Sequence, residues 1–185
     1  MVSSPRIAPL EPPYSADLEA SFGIVMPEGV PPLNIFRTVA HNPRVLGRMV
    51  RGGLLDRGSI SLVDRELVIL RACARCGAEY EWGVHAAAFA DAACLSAEQL
   101  ADTCRPRIDP ALWTDTQRLL LAMVDALHEV ANIDDNLWSS LSAQFADDQL
   151  IELIMLAGLY HAVSFLVNAL GVENEAFAPV FPDLS

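Results

Sequence analysis

The 185-residue chain contains no lysine; all twelve of its basic residues are arginine. That absence excludes Schiff-base chemistry on a lysine amine and phosphate binding by a P-loop lysine. Positive charge is scarce altogether. Twenty-four acidic residues bring the net charge to −12, which argues against nucleic acid and anionic membrane surfaces as partners. Aromatic residues make up only 7%, so the core must be built from Leu, Val, Ile and Ala. Four cysteines do not form a disulfide framework. Sustained period-two alternation is missing, which leaves no pattern for a sheet. The opening "MVSSPRIAPLEPPYSADLEA" lacks the apolar run of a secretory signal, and a cytoplasmic location is expected.

What is present points to helices. Apolar residues reach 52%, mean hydropathy is +0.30, and Ala and Leu are strong helix formers. The expected fold class is all-α, with surplus apolar surface buried between subunits. The longest apolar run, residues 150–172, is interrupted by Glu152, His161, Ser164 and Asn168. It reads as a buried helix and not a membrane span. Most of the prolines fall in residues 1–32, an arm expected to be extended or loosely helical and to pack on its own domain or a neighbour. A helical domain over 33–172 and a tail over 173–185 complete the organisation.

Local signals mark several helix ends. Ser61 is placed to cap a helix with Asp64 in its third position, and Gly77 closes the far end. Ser96 with Gln99 and Thr114 with Gln117 read as capping boxes. "ELVIL" at 66–70 is echoed by "ELIML" at 152–156, each opening a long apolar helix.

The chemistry concentrates in "RCGAEYEWGVH", residues 75–85. After Gly77 a new helix begins, and its unpaired N–H groups favour the carboxylates of Glu79 and Glu81. Glu81 and His85, four apart, share a face and make a proton-transfer pair. Glu66 lies among residues expected to be buried, so it either pairs with an arginine such as Arg65 or Arg71 or faces a pocket. Cys73 and Cys76 share a face in the last turn before Gly77, where the helix dipole disfavours a thiolate. Cys94 and Cys104 read as plain thiols in apolar helices. His161, Ser164 and Asn168 lie roughly on one face of the C-terminal helix and read as core polar groups, or as the lining of a pocket or an interface. Glu81, His85 and His161 could compose a metal group, but no ligand spacing supports one. No metal and no cofactor are expected.

"RELVILR…CGAEYEWGVH" followed by "AAFADAACLSAEQL" resembles the carboxymuconolactone decarboxylase family, which also holds the alkylhydroperoxidase D type thiol peroxidases. The segments "LNIFRTVAHNPRVLGRM" and "ELIMLAGLYHAVSFLVNALGV" are similar to that group as well, so the resemblance covers residues 33–172. It implies an alkylhydroperoxidase D-like helical domain that assembles as a homotrimer or homohexamer. The family glutamate falls on Glu66 and the family histidine on His85. The two family cysteines fall on Ala78 and Glu81, with Tyr80 between them, so the proton-relay frame is kept and the redox pair is not. The resemblance therefore implies cofactor-free acid–base chemistry, of the lyase or decarboxylase type, on a small carboxylated lactone or carbonyl compound. His85 would be the acid/base, Glu66 would set its protonation, Glu81 would stand next in line, and Tyr80 would be a hydrogen-bond donor. An arginine that the sequence does not single out would anchor the substrate carboxylate. A thiol peroxidase using Cys73 and Cys76, or a non-catalytic oligomeric binding protein, are the alternatives.

Overall fold

The structure, a computed structural model, describes residues 5–184. They form helices α1 (Ala16–Phe22), α2 (Asn34–Val39), α3 (Pro43–Arg51), α4 (Leu62–Arg75), α5 (Glu79–Phe89), α6 (Ala97–Thr103), α7 (Asp115–Val130), α8 (Asp135–Ser142) and α9 (Asp147–Leu170). A single 3-10 turn, Pro110–Leu112, precedes α7, and no strand occurs among the described residues. The all-α expectation holds.

Helix α4 is the axis of the molecule, packed against α7, α9 and α5. Its ends are set by the residues the sequence marks. Ser61 Oγ accepts the Asp64 N–H at 3.1 Å and donates to the Asp64 carboxylate at 2.6 Å. At the far end Gly77 takes φ +64. Ala78 N–H then donates to the Cys73 carbonyl at 2.9 Å and Gly77 N–H to that of Ala74 at 3.0 Å, a Schellman closure that needs a residue tolerant of the left-handed region. Between these ends every residue from Glu66 to Cys73 is buried. Glu66 and Arg71 are thus carried into the core by their helix and must find partners there.

Arg71 finds four. Its fully buried guanidinium grips Asp125 of α7 at 2.7 and 2.8 Å and donates to the carbonyls of Thr103 and Arg105 at 2.8 and 2.7 Å. Arg71→Met keeps most of the volume but strands two carbonyls and leaves the Asp125 carboxylate only Arg75, at 3.4 Å. It is expected to cost about 3–5 kcal/mol, read as a fall in the urea midpoint at unchanged slope.

The arm folds back on its own domain. Arg6 N–H donates to the Leu170 carbonyl at 2.8 Å, α1 packs on α3, and Phe22 is buried. The C-terminal segment lies over α5. Glu79 accepts from Asn174 Nδ2 at 2.8 Å and from Phe181 N–H at 3.0 Å, and Phe181 packs on Trp82 with ring centres 5.5 Å apart and planes tilted by 59°. The approach is so close that a Cβ on Gly83 would run into the Pro179 carbonyl.

Helix α9, 24 residues long, is apolar and long enough to cross a bilayer by length and composition. One side of it packs on α4. The other exposes Ile151, Met155, Gly158, Ala162, Phe165 and Ala169, spaced alternately four and three apart, which is the seam spacing of paired helices. The echoed glutamate on α9, Glu152, has no part in a buried pair: it accepts from the Ser59 N–H and hydroxyl at 2.7 and 2.6 Å.

Candidate active site

Helices α4, α5 and α9 meet at a buried polar cluster. Glu66 is carried on the second turn of α4 and is fully buried. One carboxylate oxygen meets Nδ1 of His85 at 2.7 Å. The other accepts from Arg65 Nε at 2.8 Å, so the arginine-partner reading of Glu66 holds, and its second partner is His85, not the pocket, whose polar end is Glu81 and Tyr160. On α5 the two first-turn acids diverge because they are two residues apart. Glu79 turns outward to hold the C-terminal segment, and Glu81 turns inward, with Oε1 3.6 Å from His85 Nε2. From α9, the Tyr160 hydroxyl reaches the same nitrogen at 3.0 Å. Phe89 closes the cluster, its ring 5.3 Å from His85 and 5.2 Å from the Arg65 guanidinium.

His85 is a proton reservoir. Burial alone would lower its pKa, but the hydrogen bond it donates to Glu66 and then its contact with Glu81, with the charges of both, outweigh this and raise it to about 9. The ring is therefore an imidazolium at neutral pH. It donates Nδ1–H to Glu66 and presents Nε2–H toward Tyr160 and Glu81. Burial, followed by the nearby Glu81, pushes the Tyr160 hydroxyl well above its ordinary pKa. Tyr160 thus stays a neutral O–H that accepts from His85 and keeps its own proton to donate.

A narrow pocket ends on this cluster. Val25, Phe36, Met49, Val50, Gly53, Leu55, Leu159 and Val163 form its apolar walls, and Glu81 and Tyr160 form its polar end, around a free volume of about 50 Å³. Glu81 Oε2 is buried with no hydrogen-bond partner, a costly state for a carboxylate oxygen unless something else fills the gap. The pocket shares Val25, Val50, Gly53 and Leu55 with an outer vestibule of about 580 Å³, which Arg51, Asp56 and Phe89 also line. Leu54, at φ 52, sits on the vestibule wall in a conformation that leucine rarely adopts.

Of the residues expected in the site, Glu66, Glu81 and His85 come together and Tyr80 does not. Its hydroxyl donates to Glu175 at 2.7 Å and accepts the Ile35 N–H at 3.1 Å, so it ties α2 and the C-terminal segment to α5. The tyrosine of the site is Tyr160. Its sequence signal was slight: a phenol in an apolar helix needs a polar partner.

The cysteines lie apart from the relay's hydrogen bonds. Burial raises the Cys73 thiol well above its ordinary pKa, with a further push from Glu81, and raises Cys76 as well. Neither favours a thiolate. His161, Ser164 and Asn168 face the end of α4. Asn168 donates to the Cys76 carbonyl at 2.8 Å, Ser164 lies beside both thiols, and His161 sits 3.1 Å from His128, far in sequence from the Glu81–His85 pair it was weighed with.

Residues 44–125 match the model of the carboxymuconolactone decarboxylase family. No curated protein matches the chain in sequence. Among solved structures, an uncharacterized peroxidase-related protein from Silicibacter sp. TM1040 superimposes with a TM-score of 0.78 at 16% identity, covering 95% of this chain and 96% of that one. The alkylhydroperoxidase AhpD core of a peroxidase-related protein from Ralstonia eutropha JMP134 gives 0.76 at 15%, with 92% and 93% covered. A cysteine-to-alanine variant of the debrominase Bmp8, in complex with 2,3,4-tribromopyrrole, gives 0.72 at 15%, with 92% of each chain covered. At such identities the likeness is one of fold. The segment holding Glu66, Glu81 and His85 thus lies within the stretch that matches the carboxymuconolactone decarboxylase family model, set in an alkylhydroperoxidase D-like helical fold.

Proposed function

We propose that the protein is a cofactor-free acid–base enzyme acting on a small carbonyl or lactone compound, with decarboxylation as the leading reaction. The observation that carries this reading is the pocket's polar end, where the unpartnered Oε2 of Glu81 and the neutral Tyr160 hydroxyl stand in front of the His85 imidazolium. Loss of CO2 breaks a C–C bond and leaves its electron pair as an enolate. Tyr160 donates to the enolate oxygen, and His85 replaces the charge it lends. His85 then passes its proton to the Glu81 carboxylate, which delivers it to the carbon, and solvent reprotonates His85, so one proton is consumed for each CO2 released. Arg51, at the vestibule, is the arginine placed to hold a substrate carboxylate. Bmp8, a fold neighbour, was solved with a small halogenated ring, a ligand of the size this reading asks for.

The test is proton exchange at carbon. Small carboxylated lactones and ketones are incubated with the enzyme in D2O and followed by NMR. Deuterium is expected to enter beside the carbonyl, and Glu81→Gln is expected to stop it while Cys73→Ser leaves it intact. Hydroperoxide turnover with a dithiol, lost in Cys73→Ser and Cys76→Ser, would instead establish a peroxidase.

The exposed stripe on α9 supports assembly with further copies of the chain. Phe165→Glu on that stripe is expected to lower the mass measured by light scattering to that of a monomer.

A further inference from the structure

A second cluster of chemistry-bearing side chains lies at the other end of α4, outside the relay. Cys76 caps the C-terminal end of α4, His128 stands in the last turn of α7, and His161 lies midway along α9. Their ligand atoms all fall within 4.8 Å of one another. Cys76 Sγ is 3.8 Å from His128 Nδ1, which is 3.1 Å from His161 Nε2. We propose that these three residues form a binding site for a zinc-class divalent ion, with one coordination position open.

The spacing fits the ion. A tetrahedral zinc with Zn–N of about 2.0–2.1 Å and Zn–S of about 2.3 Å holds two nitrogens about 3.3 Å apart, and nitrogen and sulfur about 3.6 Å apart. The two separations that involve His128 lie about 0.2 Å from those values, one on each side, and the third pair, Cys76 with His161, lies within 4.8 Å, so the Cys76 and His161 side chains close on the ion by rotamer adjustment.

The surroundings fit as well. His161 Nδ1–H donates to the Ala157 carbonyl at 2.8 Å, which fixes the tautomer and leaves Nε2 with its lone pair toward the cluster. Asn168 donates to the Cys76 carbonyl and steadies the end of the helix. The buried Ser164 hydroxyl, without a partner of its own, lies beside the Cys76 thiol, where it can donate to a thiolate. All three ligands are half-buried, so an ion can enter and a water or small anion can complete the shell.

On binding, the Cys76 thiol loses its proton to solvent and the His128 proton moves to Nε2, so one proton is released per ion. Nothing is oxidised or reduced. Because the three ligands come from α4, α7 and α9, the ion would clamp the three helices that form the core.

The probe is Co2+, added to chelator-treated full-length protein. One equivalent is expected to give intense visible bands of a four-coordinate ion and a near-ultraviolet thiolate charge-transfer band, both bleached by one equivalent of Zn2+. Cys76→Ser should lose the charge-transfer band. His128→Ala and His161→Ala should weaken Co2+ binding by more than the roughly 10–100-fold that loss of an outer-shell partner costs. Cys94→Ser, at an exposed thiol elsewhere, should change nothing. Helical circular dichroism of each variant separates a lost site from a lost fold. Weak six-coordinate bands in the parent protein, or a charge-transfer band that survives Cys76→Ser in the folded variant, would overturn the site.

Discussion

Glu66→Gln is expected to drop the His85 pKa from about 9 to below neutrality, to abolish catalysis, and to destabilise the fold by about 3–5 kcal/mol. Glu66 supplies the largest of the effects that hold His85 charged against the cost of burying it. The amide keeps the shape but loses the charge, and it leaves Arg65 without its carboxylate partner as well. The dependence on pH has a definite sign. The folded pKa of His85 lies above its ordinary 6.5. The stabilisation from its charged form is therefore fully present below pH about 6.5 and is lost as pH rises through about 9. In urea unfolding, the gap between parent and Glu66→Gln should be widest at pH 6 and narrow by pH 10. NMR titration of the His85 ring gives the pKa directly. A gap that does not vary with pH would mean that Glu66 serves Arg65 alone.

Tyr160→Phe has the second large expected effect, and it falls on rate. The substitution removes one hydroxyl from the line between His85 Nε2 and the pocket while keeping the ring that meets His85 edge-on at 5.0 Å. If that hydroxyl carries the oxyanion, kcat should fall about 10²–10³-fold, as for other lost oxyanion donors. KM should change little, since the ring still lines the pocket. Stability should shift by only about 1 kcal/mol. A kcat within a factor of two of the parent would reduce Tyr160 to packing.

How far the sequence reached follows from distance along the chain. Ser61, Ser96 and Thr114 cap as expected, and Gly77 ends α4 at positive φ, because caps and closures bind only a few residues away. The Glu81–His85 pair, four apart on one helix, was legible for the same reason. Glu66 joins His85 across 19 residues; helix periodicity cannot supply that contact, and the family resemblance did. Tyr160 stands 75 residues from His85, and Tyr80 goes to a glutamate 95 residues away. The place expected for Tyr80 is taken by Tyr160, to which no role was assigned, because tertiary packing alone decides which phenol meets the relay. The group of Cys76, His128 and His161 was invisible in the same way. Each residue looks ordinary in its own helix, and only the convergence of three helices brings them together.

The cover over α5 has a consequence for the order in which the protein forms. The helix that carries Glu81 and His85 is held down by the Phe181 N–H, 102 residues further along the chain from its partner Glu79, and by Phe181 against Trp82. A ribosome adds roughly 5–20 residues per second, so α5 leaves the exit tunnel many seconds before the segment that seals it. Until then the outer faces of Trp82 and Gly83 stand open to water, and the relay rests on a helix buried on one side only. The polar cluster is thus among the last parts of the molecule to be fixed: Glu66, Glu81 and His85 are made early, but Tyr160 joins them 75 residues after His85 and the cover over α5 follows later still.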